Sequence, residues 1–323
     1  MSHPCMPAPD HAPAPYANRA ARGSSTGAPA RLPTLPALDH AAKLMLRSPA
    51  THARGPAWAL ALGLFSTAAT PAHAHDYWLE FQPSAPTPGG EFSAALWLGE
   101  DFIPEAQTAI QAARAVSLQH ITRFRDVDLL PRARLGVAPL LRLGLALPGG
   151  HLLALERGTT RVQLRARRFN RYLEQEGLHD ALAERKLSGE RWRRGTERYQ
   201  RYLKAFVQVG DDIDTISTRV LGHRLEVVPE RDLATVKVGE RLGVRVLFEG
   251  RPLSGAQVEA FARGAGVRAA QGQARVTDAS GRAEFTVGEP GTWLVRTVHM
   301  QRCIGCDAIQ WESFWAAYSF ALG

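Results

Sequence analysis

The sequence predicts a mainly β protein in which two immunoglobulin-like or transthyretin-like β-sandwich domains flank an α-helical insert. Three observations lead to this fold class. Short apolar or alternating runs, separated by turn signals, fill residues 75–165, which is typical of antiparallel sandwiches. The apolar spacing becomes helical across 166–210, and alternating runs return over 211–323.

The chain opens with a segment that we exclude from the predicted fold. Residues 56–70 form an uncharged apolar run of about 15 residues, whereas a membrane-spanning helix needs roughly 20. Two arginines precede this run, and Ala72-His73-Ala74 after it has the small-x-small form of a signal-peptidase site. We therefore expect a signal peptide over 45–74, cleavage after Ala74 and a periplasmic product. A buried hydrophobic helix is the alternative.

Residues 1–44 are rich in Pro, Ala, Gly and Ser, a composition that cannot bury a core. They are either a disordered leader or lie upstream of a true translation start at Met45. The expected mature chain, residues 75–323, has no further apolar run of membrane-spanning length. Six of the 39 basic and two of the 31 acidic residues lie in 1–74, so the mature net charge is only +4. This balance argues against nucleic-acid binding.

The amino-terminal sandwich is predicted from runs such as "DYWLEF", "EFSAALWLG" and "TTRVQLRA", which Pro-Gly-Gly and similar turn signals separate. The carboxy-terminal sandwich is predicted from "RVLFEGRPLSGAQVEA" and "TDASGRAEFTVGEPGTWLVR", in which strands alternate with Gly- and Pro-containing turns.

Between them, apolar residues recur at helical spacing, with glycines dividing the segment into two or three helices. We expect these helices to form a docked layer with a wide aromatic stripe. The stripe residues are Phe169, Tyr172, Leu173, Leu178, Leu182, Ala183, Tyr199, Tyr202, Leu203 and Phe206.

The helical insert is also basic, because residues 165–204 contain twelve basic and six acidic residues. Such a patch either attracts anionic lipid or an acidic partner, or is a solvated helix face with i,i+4 ion pairs. We favour the second interpretation.

No sequence pattern supports an enzyme: nucleophile elbows, phosphate-binding loops and zinc-protease helices are absent. A metal site is the better candidate. Cleavage after Ala74 would give His75 a free α-amine, which can chelate a transition metal together with its imidazole, as in a histidine brace. His299 is the best distant partner, with Met300 nearby and Glu312 as support. Each of the other histidines in the mature chain is interpreted as structural or exposed: His120, His151, His179 and His223.

Cys303 and Cys306 form a Cys-x-x-Cys loop next to His299. In an oxidising compartment such a loop most often closes as a disulfide. With His299 and Met300, the two sulfurs could instead form a soft site for copper or nickel. A reduced or redox-active pair is the third alternative, and the sequence leaves all three open.

Many short motifs occur in order: "HAHDYWLEF", "LWLGEDF", "GGHLLALERG", "FNRYLEQEGL", "RYQRYLKAFVQVG", "LGHRLEVVPE" and "WESFWAAYSFAL". Over residues 73–322 the chain resembles the bacterial domain-of-unknown-function family 4198, whose members are often labelled nickel-uptake transporter family proteins. The resemblance implies a periplasmic metal-associated protein. It carries over His75, Asp76, Trp78, His299 and the run 312–315, but not the two cysteines.

We therefore expect an exported, non-enzymatic metal-binding protein that supports nickel, cobalt or copper handling, working with a membrane transporter component or another periplasmic protein. The alternative is a non-catalytic structural or adaptor module that binds a protein or carbohydrate. A shared site for His75 and His299 would have to lie at an interface between the two sandwiches.

Overall fold

The computed structural model describes residues 76–144, 147–264 and 271–323. The predicted leader (1–44), the predicted signal peptide (45–74) and His75 lie outside these residues. The α-helices are α1 (Ala166–Gln175) and α2 (His179–Leu187). The strands are β1 (Asp76–Gln82), β2 (Glu91–Glu100), β3 (Ile103–Thr108), β4 (Ala115–Ile121), β5 (Asp126–Asp128), β6 (Leu141–Gly144), β7 (Gly149–Leu164), β8 (Gly195–Val209), β9 (Leu225–Pro229), β10 (Arg241–Phe248), β11 (Arg251–Pro252), β12 (Gln257–Arg263), β13 (Gln271–Val276), β14 (Arg282–Thr286), β15 (Gly291–Arg302) and β16 (Trp311–Leu322).

This element content confirms the mainly β class, and the strands form three sheets. The first sheet has the order β1-β2-β3, with β6 beside β2. The central sheet has eight strands in the order β13-β12-β15-β16-β8-β7-β4-β5. Its pairs are antiparallel except β8 and β16, which run parallel. The third sheet has the order β11-β10-β14, with β9 beside β10.

The central sheet is covered on both faces. On one face, side chains such as Leu203 pack with Trp78 and Leu96 of the first sheet. On the other face, side chains such as Phe206 pack with Val246 of the third sheet. Because successive side chains of a strand point to opposite faces, the middle strands β7, β8 and β16 bury consecutive apolar residues.

The prediction that residues 199–206 are helical is wrong, because these residues belong to strand β8. Tyr202 and Phe206 face the third sheet, whereas Leu203 faces the first sheet. A strand buried on both faces is apolar without alternation, and such a run cannot be told from a buried helix by spacing alone.

The helical part of the insert therefore comprises α1 and α2. Their apolar side chains, including Phe169 and Leu173, are buried against Trp311 and Trp315 of β16. The helices cover the same face of the central sheet as the first sheet does. Among the described residues, no helix is long and apolar enough to cross a membrane.

The predicted domain boundaries at residues 165 and 210 do not divide the strands into two separate groups of sheets. β4, β5 and β7 of the predicted amino-terminal domain belong to the same sheet as β12, β13, β15 and β16 of the predicted carboxy-terminal domain, with β8 between them. The described residues all belong to one compact unit. Local alternation marks individual strands but carries no information about which distant strands pair, so the sequence suggested two sandwiches.

Candidate functional site

The first strand begins beside a largely buried group of charged side chains, which we call the Arg296 cluster: Arg296, Asp76, Glu176 and Glu259. Arg296 contacts all three carboxylates. Its Nε lies 3.2 Å from Oδ2 of Asp76, its Nη1 lies 2.6 Å from Oε2 of Glu176, and its Nη2 lies 2.6 Å from Oε2 of Glu259. One guanidinium therefore joins β1, β12, β15 and the end of α1.

Local structure explains how these four residues meet. Glu259 of β12 and Arg296 of β15 are directly opposite each other in an antiparallel pair, so their side chains share one face of the sheet. Glu176 is the residue at which α1 ends. Asp76 opens β1, and its side chain is buried.

The Arg296 cluster has a formal charge of −2 when its three carboxylates are ionised. Burial raises the pKa of Asp76 to about 7, although Arg296 acts in the opposite direction. Burial likewise raises the pKa of Glu259. Burial lowers the pKa of Arg296, but the three carboxylates outweigh this effect and hold it above the ordinary value. Burial therefore opposes ionisation of Asp76 and Glu259, and Arg201 supplies a second positive charge that favours the ionised form of Asp76.

A layer of aromatic rings and guanidinium groups continues from this cluster. The Arg201 guanidinium lies over the rings of Trp315 and Tyr77, at 4.4 and 4.6 Å from their centroids. The Arg157 guanidinium also lies over the Tyr77 ring, at 4.4 Å from its centroid. Such cation–π contacts stabilise charges that are removed from water.

Glu197 is a further buried carboxyl group on this face. The hydroxyl of Tyr172 donates a hydrogen bond to its Oε1 at 3.1 Å, and the hydroxyl of Ser313 donates another to the same oxygen. Burial raises the pKa of Glu197 to about 7, against the opposing effect of these two bonds and of Arg201. The face between the first sheet and the helices is thus unusually polar for a protein interior.

The predicted ligands are divided between the two faces of the central sheet. His75 lies outside the described residues, and its neighbour Asp76 belongs to the Arg296 cluster. Met300 is buried with α1 and α2 on that same face. His299 points to the opposite face, where its ring lies 4.4 Å from that of Phe248.

Glu312 shares the face of His299 but is occupied by other partners. It accepts hydrogen bonds from Gln301 at 2.7 Å and from Arg198 at 2.6 Å. Burial alone would raise the pKa of Glu312, but these bonds hold it below the ordinary value. Burial lowers the pKa of His299. Among the described residues, no group of three or more His, Cys, Asp and Glu side chains is arranged to hold a metal ion.

Cys303 and Cys306 are joined by a disulfide that closes the loop between β15 and β16, with their Cα atoms 5.6 Å apart. As disulfide sulfurs they are not thiolate ligands in this structure.

Sequence reasoning did not identify Arg296, Glu176, Glu259, Arg201 or Glu197 as candidate residues. A signal was present, because Arg296 interrupts the apolar run "TWLVRTVHM" and Arg201 begins the largely apolar run "RYLKAFVQV". Charged residues within buried strands require partners, so such interruptions point to buried ion pairs.

No curated protein matches the chain. The family model described as "Domain of unknown function (DUF4198)" matches residues 72–301. This match includes β1, α1, α2, β12 and nearly all of β15, which together supply the Arg296 cluster. The chain therefore belongs to the DUF4198 family of domains of unknown function.

Proposed function

We propose that the protein is exported and binds one transition-metal ion at its mature amino terminus, in support of nickel, cobalt or copper handling. Cleavage after Ala74 would make His75 the first residue, with a free α-amine beside its imidazole. These two nitrogens form a chelate for Cu, Ni or Co. The metal would pass to or from a membrane transporter component or another periplasmic protein, and the protein itself performs no catalysis.

The observation that carries this proposal is the concentration of carboxyl groups around Arg296, beside residue 75. Three carboxyl groups share one guanidinium, those of Asp76 and Glu176 being buried and that of Glu259 partly exposed, and Asp76 is the next residue in the chain after His75. Buried like charges are costly unless they are balanced. A metal ion or an α-ammonium group held at residue 75 would supply the balancing positive charge.

The proposal does not include His299 as a ligand. Asp76 and His299 lie on opposite faces of the central sheet. A metal site that His75 and His299 share therefore gains no support. Asp76 is instead the carboxylate nearest in the chain to the proposed chelate. Arg296, which contacts Asp76, also contacts Glu176 and Glu259.

The test uses protein purified from the periplasm, whose amino terminus is first identified by mass spectrometry. After dialysis against Ni²⁺, Co²⁺ or Cu²⁺, bound metal is measured by inductively coupled plasma mass spectrometry. We expect one equivalent of one metal on protein that begins at His75. Binding should weaken at least about tenfold, the usual cost of losing a ligand group, in His75→Ala and in a chain extended by Gly-Ser-Gly-Ser before His75.

His299→Ala is the matched control and should bind metal as the unmodified protein does. A terminus other than His75, the absence of stoichiometric binding, or full binding by the extended chain would each contradict the proposal.

A second candidate function is a non-catalytic structural or adaptor module, built from immunoglobulin-like or transthyretin-like sandwich units, that binds a protein or carbohydrate. It is favoured by the separation of His299 and Glu312 from Asp76. An adaptor of this kind should retain its partner in affinity purification after treatment with EDTA, whereas metal-dependent association should be lost.

A further inference from the structure

Three large apolar side chains protrude from the surface near the helices. Leu187 is 90%, Trp192 is 76% and Ile304 is 92% exposed. Leu187 ends α2, Trp192 ends a short 3-10 turn at Glu190–Trp192, and Ile304 lies within the disulfide loop. We call these three residues the Trp192 patch. These three side chains are almost fully exposed, whereas the large apolar side chains elsewhere in α1 and α2 are buried.

Arg302 brings the three elements of the Trp192 patch together. Its Nε lies 2.6 Å from Oε1 of Glu184 in α2, and its Nη2 lies 2.8 Å from Oε2 of Glu190. Arg302 is also two residues before Ile304. The end of α2, the 3-10 turn and the disulfide loop are therefore neighbours on one surface.

Buried contacts hold this surface rigidly. Arg185 is fully buried, and its Nη2 donates hydrogen bonds at 2.8 Å to the carbonyl oxygens of Glu190 and Arg193. The side-chain amide of Asn170 in α1 donates a bond to the carbonyl oxygen of Arg191. These contacts fix the backbone on either side of Trp192, while the disulfide constrains the loop that carries Ile304. The apolar side chains thus protrude from ordered backbone.

The surrounding surface is strongly basic. Within residues 165–194, eight exposed side chains are basic and three are acidic. The exposed basic residues are Arg165, Arg167, Arg168, Arg171, Lys186, Arg191, Arg193 and Arg194, and the exposed acidic residues are Glu174, Asp180 and Glu184. Exposed apolar side chains on a surface with an excess of basic residues are characteristic of surfaces that lie on membranes.

We propose that the Trp192 patch and its basic surroundings dock the protein onto an anionic lipid bilayer. Trp192, Leu187 and Ile304 would enter the interfacial region, where tryptophan is favoured, and the arginines would contact lipid phosphates. Three side chains that protrude from separate turns suit an extended soft surface better than a protein partner, because stable protein interfaces need a continuous apolar centre. This inference is independent of the proposed metal site.

The test is flotation of the full chain with vesicles of phosphatidylethanolamine and phosphatidylglycerol, and with vesicles of phosphatidylcholine. We expect binding to the anionic vesicles only. The double variants Trp192→Ser/Ile304→Ser and Arg191→Glu/Arg194→Glu should each lower this binding at least about tenfold. All proteins carry the same amino-terminal segment, so that segment cannot produce the difference between them.

The matched control is Arg275→Glu/Val276→Ser, which changes an exposed apolar and an exposed basic residue on β13. It should bind the anionic vesicles as the unmodified chain does, and circular dichroism should show that all variants are folded. Equal binding to phosphatidylcholine, no binding to either vesicle, or binding by both patch variants that equals that of the unmodified chain would overturn the proposal. No binding to either vesicle, together with retention on immobilised poly-glutamate, would show that an acidic polypeptide is the partner instead.

Discussion

At the scale of single residues, Arg296 has the largest structural role in the candidate site. Its planar guanidinium offers donors in several directions, which suits it to three carboxylates better than a lysine ammonium group. Asp76, Glu176 and Glu259 belong to β1, the end of α1 and β12. The ion pairs of Arg296 therefore link the first sheet and the helices to the central sheet.

Replacing Arg296 with methionine should destabilise the protein by about 3–5 kcal/mol, because the buried carboxyl groups of Asp76 and Glu176 and the partly exposed one of Glu259 lose their partner. Urea denaturation followed by circular dichroism measures the change. The matched control is Arg282→Met on β14, whose ion pairs with Glu230 and Glu284 are partly exposed and should be worth less than about 1 kcal/mol. Similar losses in both variants would mean that the burial of the Arg296 cluster has no special role.

The stability of the protein should also depend on the protonation of Glu197. Its pKa is raised by burial from an ordinary 4.5 to about 7, so the folded state keeps a proton that the unfolded state releases between these values. The free energy of unfolding should therefore fall as pH rises from 4.5 to 7 and then level off. The groups facing Glu197 are Tyr172, Ser313, Arg201 and Glu176.

Glu197→Gln removes this titration, so the variant should gain stability relative to the unmodified protein as pH rises. We expect a relative gain on the order of 1–3 kcal/mol between pH 5 and pH 8, at about 1.4 kcal/mol per unit of pKa shift. Urea denaturation at both pH values measures it. A stability difference that is the same at both pH values would contradict this assignment.

At the scale of elements, the docking of α1 depends on a close approach to the start of β8. A Cβ atom at Gly195 would lie 2.2 Å from Cγ of Phe169, whose ring is fully buried. Gly195→Ala should therefore displace α1 and destabilise the protein by about 1–3 kcal/mol, the usual range for overpacking. Limited trypsin digestion should then cleave within 165–194, where many arginines lie.

Gly288→Ala is the control, because a Cβ atom there meets no other atom within 4 Å. It should leave the trypsin pattern unchanged. Resistance of Gly195→Ala to trypsin equal to that of the control would contradict the importance of this contact.

Some elements of the fold could be predicted from sequence patterns, and others could not. The mainly β class follows from alternating runs such as β14, and α1 follows from the helical spacing of Phe169, Tyr172 and Leu173. β8 was predicted as a helix because both of its faces are buried. The Arg296 cluster could not be predicted either, since it depends on contacts between residues as distant as Asp76 and Arg296.

At the scale of the whole molecule, the central sheet is shared by both cores. The core beneath the first sheet and the core beneath the third sheet use alternate side chains of the same strands, such as Leu203 and Phe206 of β8. Disrupting either core therefore removes support from one face of strands whose other face belongs to the second core. Such an arrangement favours cooperative unfolding, in contrast to two separate sandwiches.

We accordingly expect residues 76–323 to unfold in a single calorimetric transition, with equal calorimetric and van't Hoff enthalpies. Leu79→Ala in the first sheet and Leu242→Ala in the third sheet both remove buried side chains, and each should cost about 2–5 kcal/mol. Because the cores share the central strands, both substitutions should lower the Tm of the same transition. Two independent domains would instead give two transitions, of which each variant moves only one, and that result would contradict the shared central sheet.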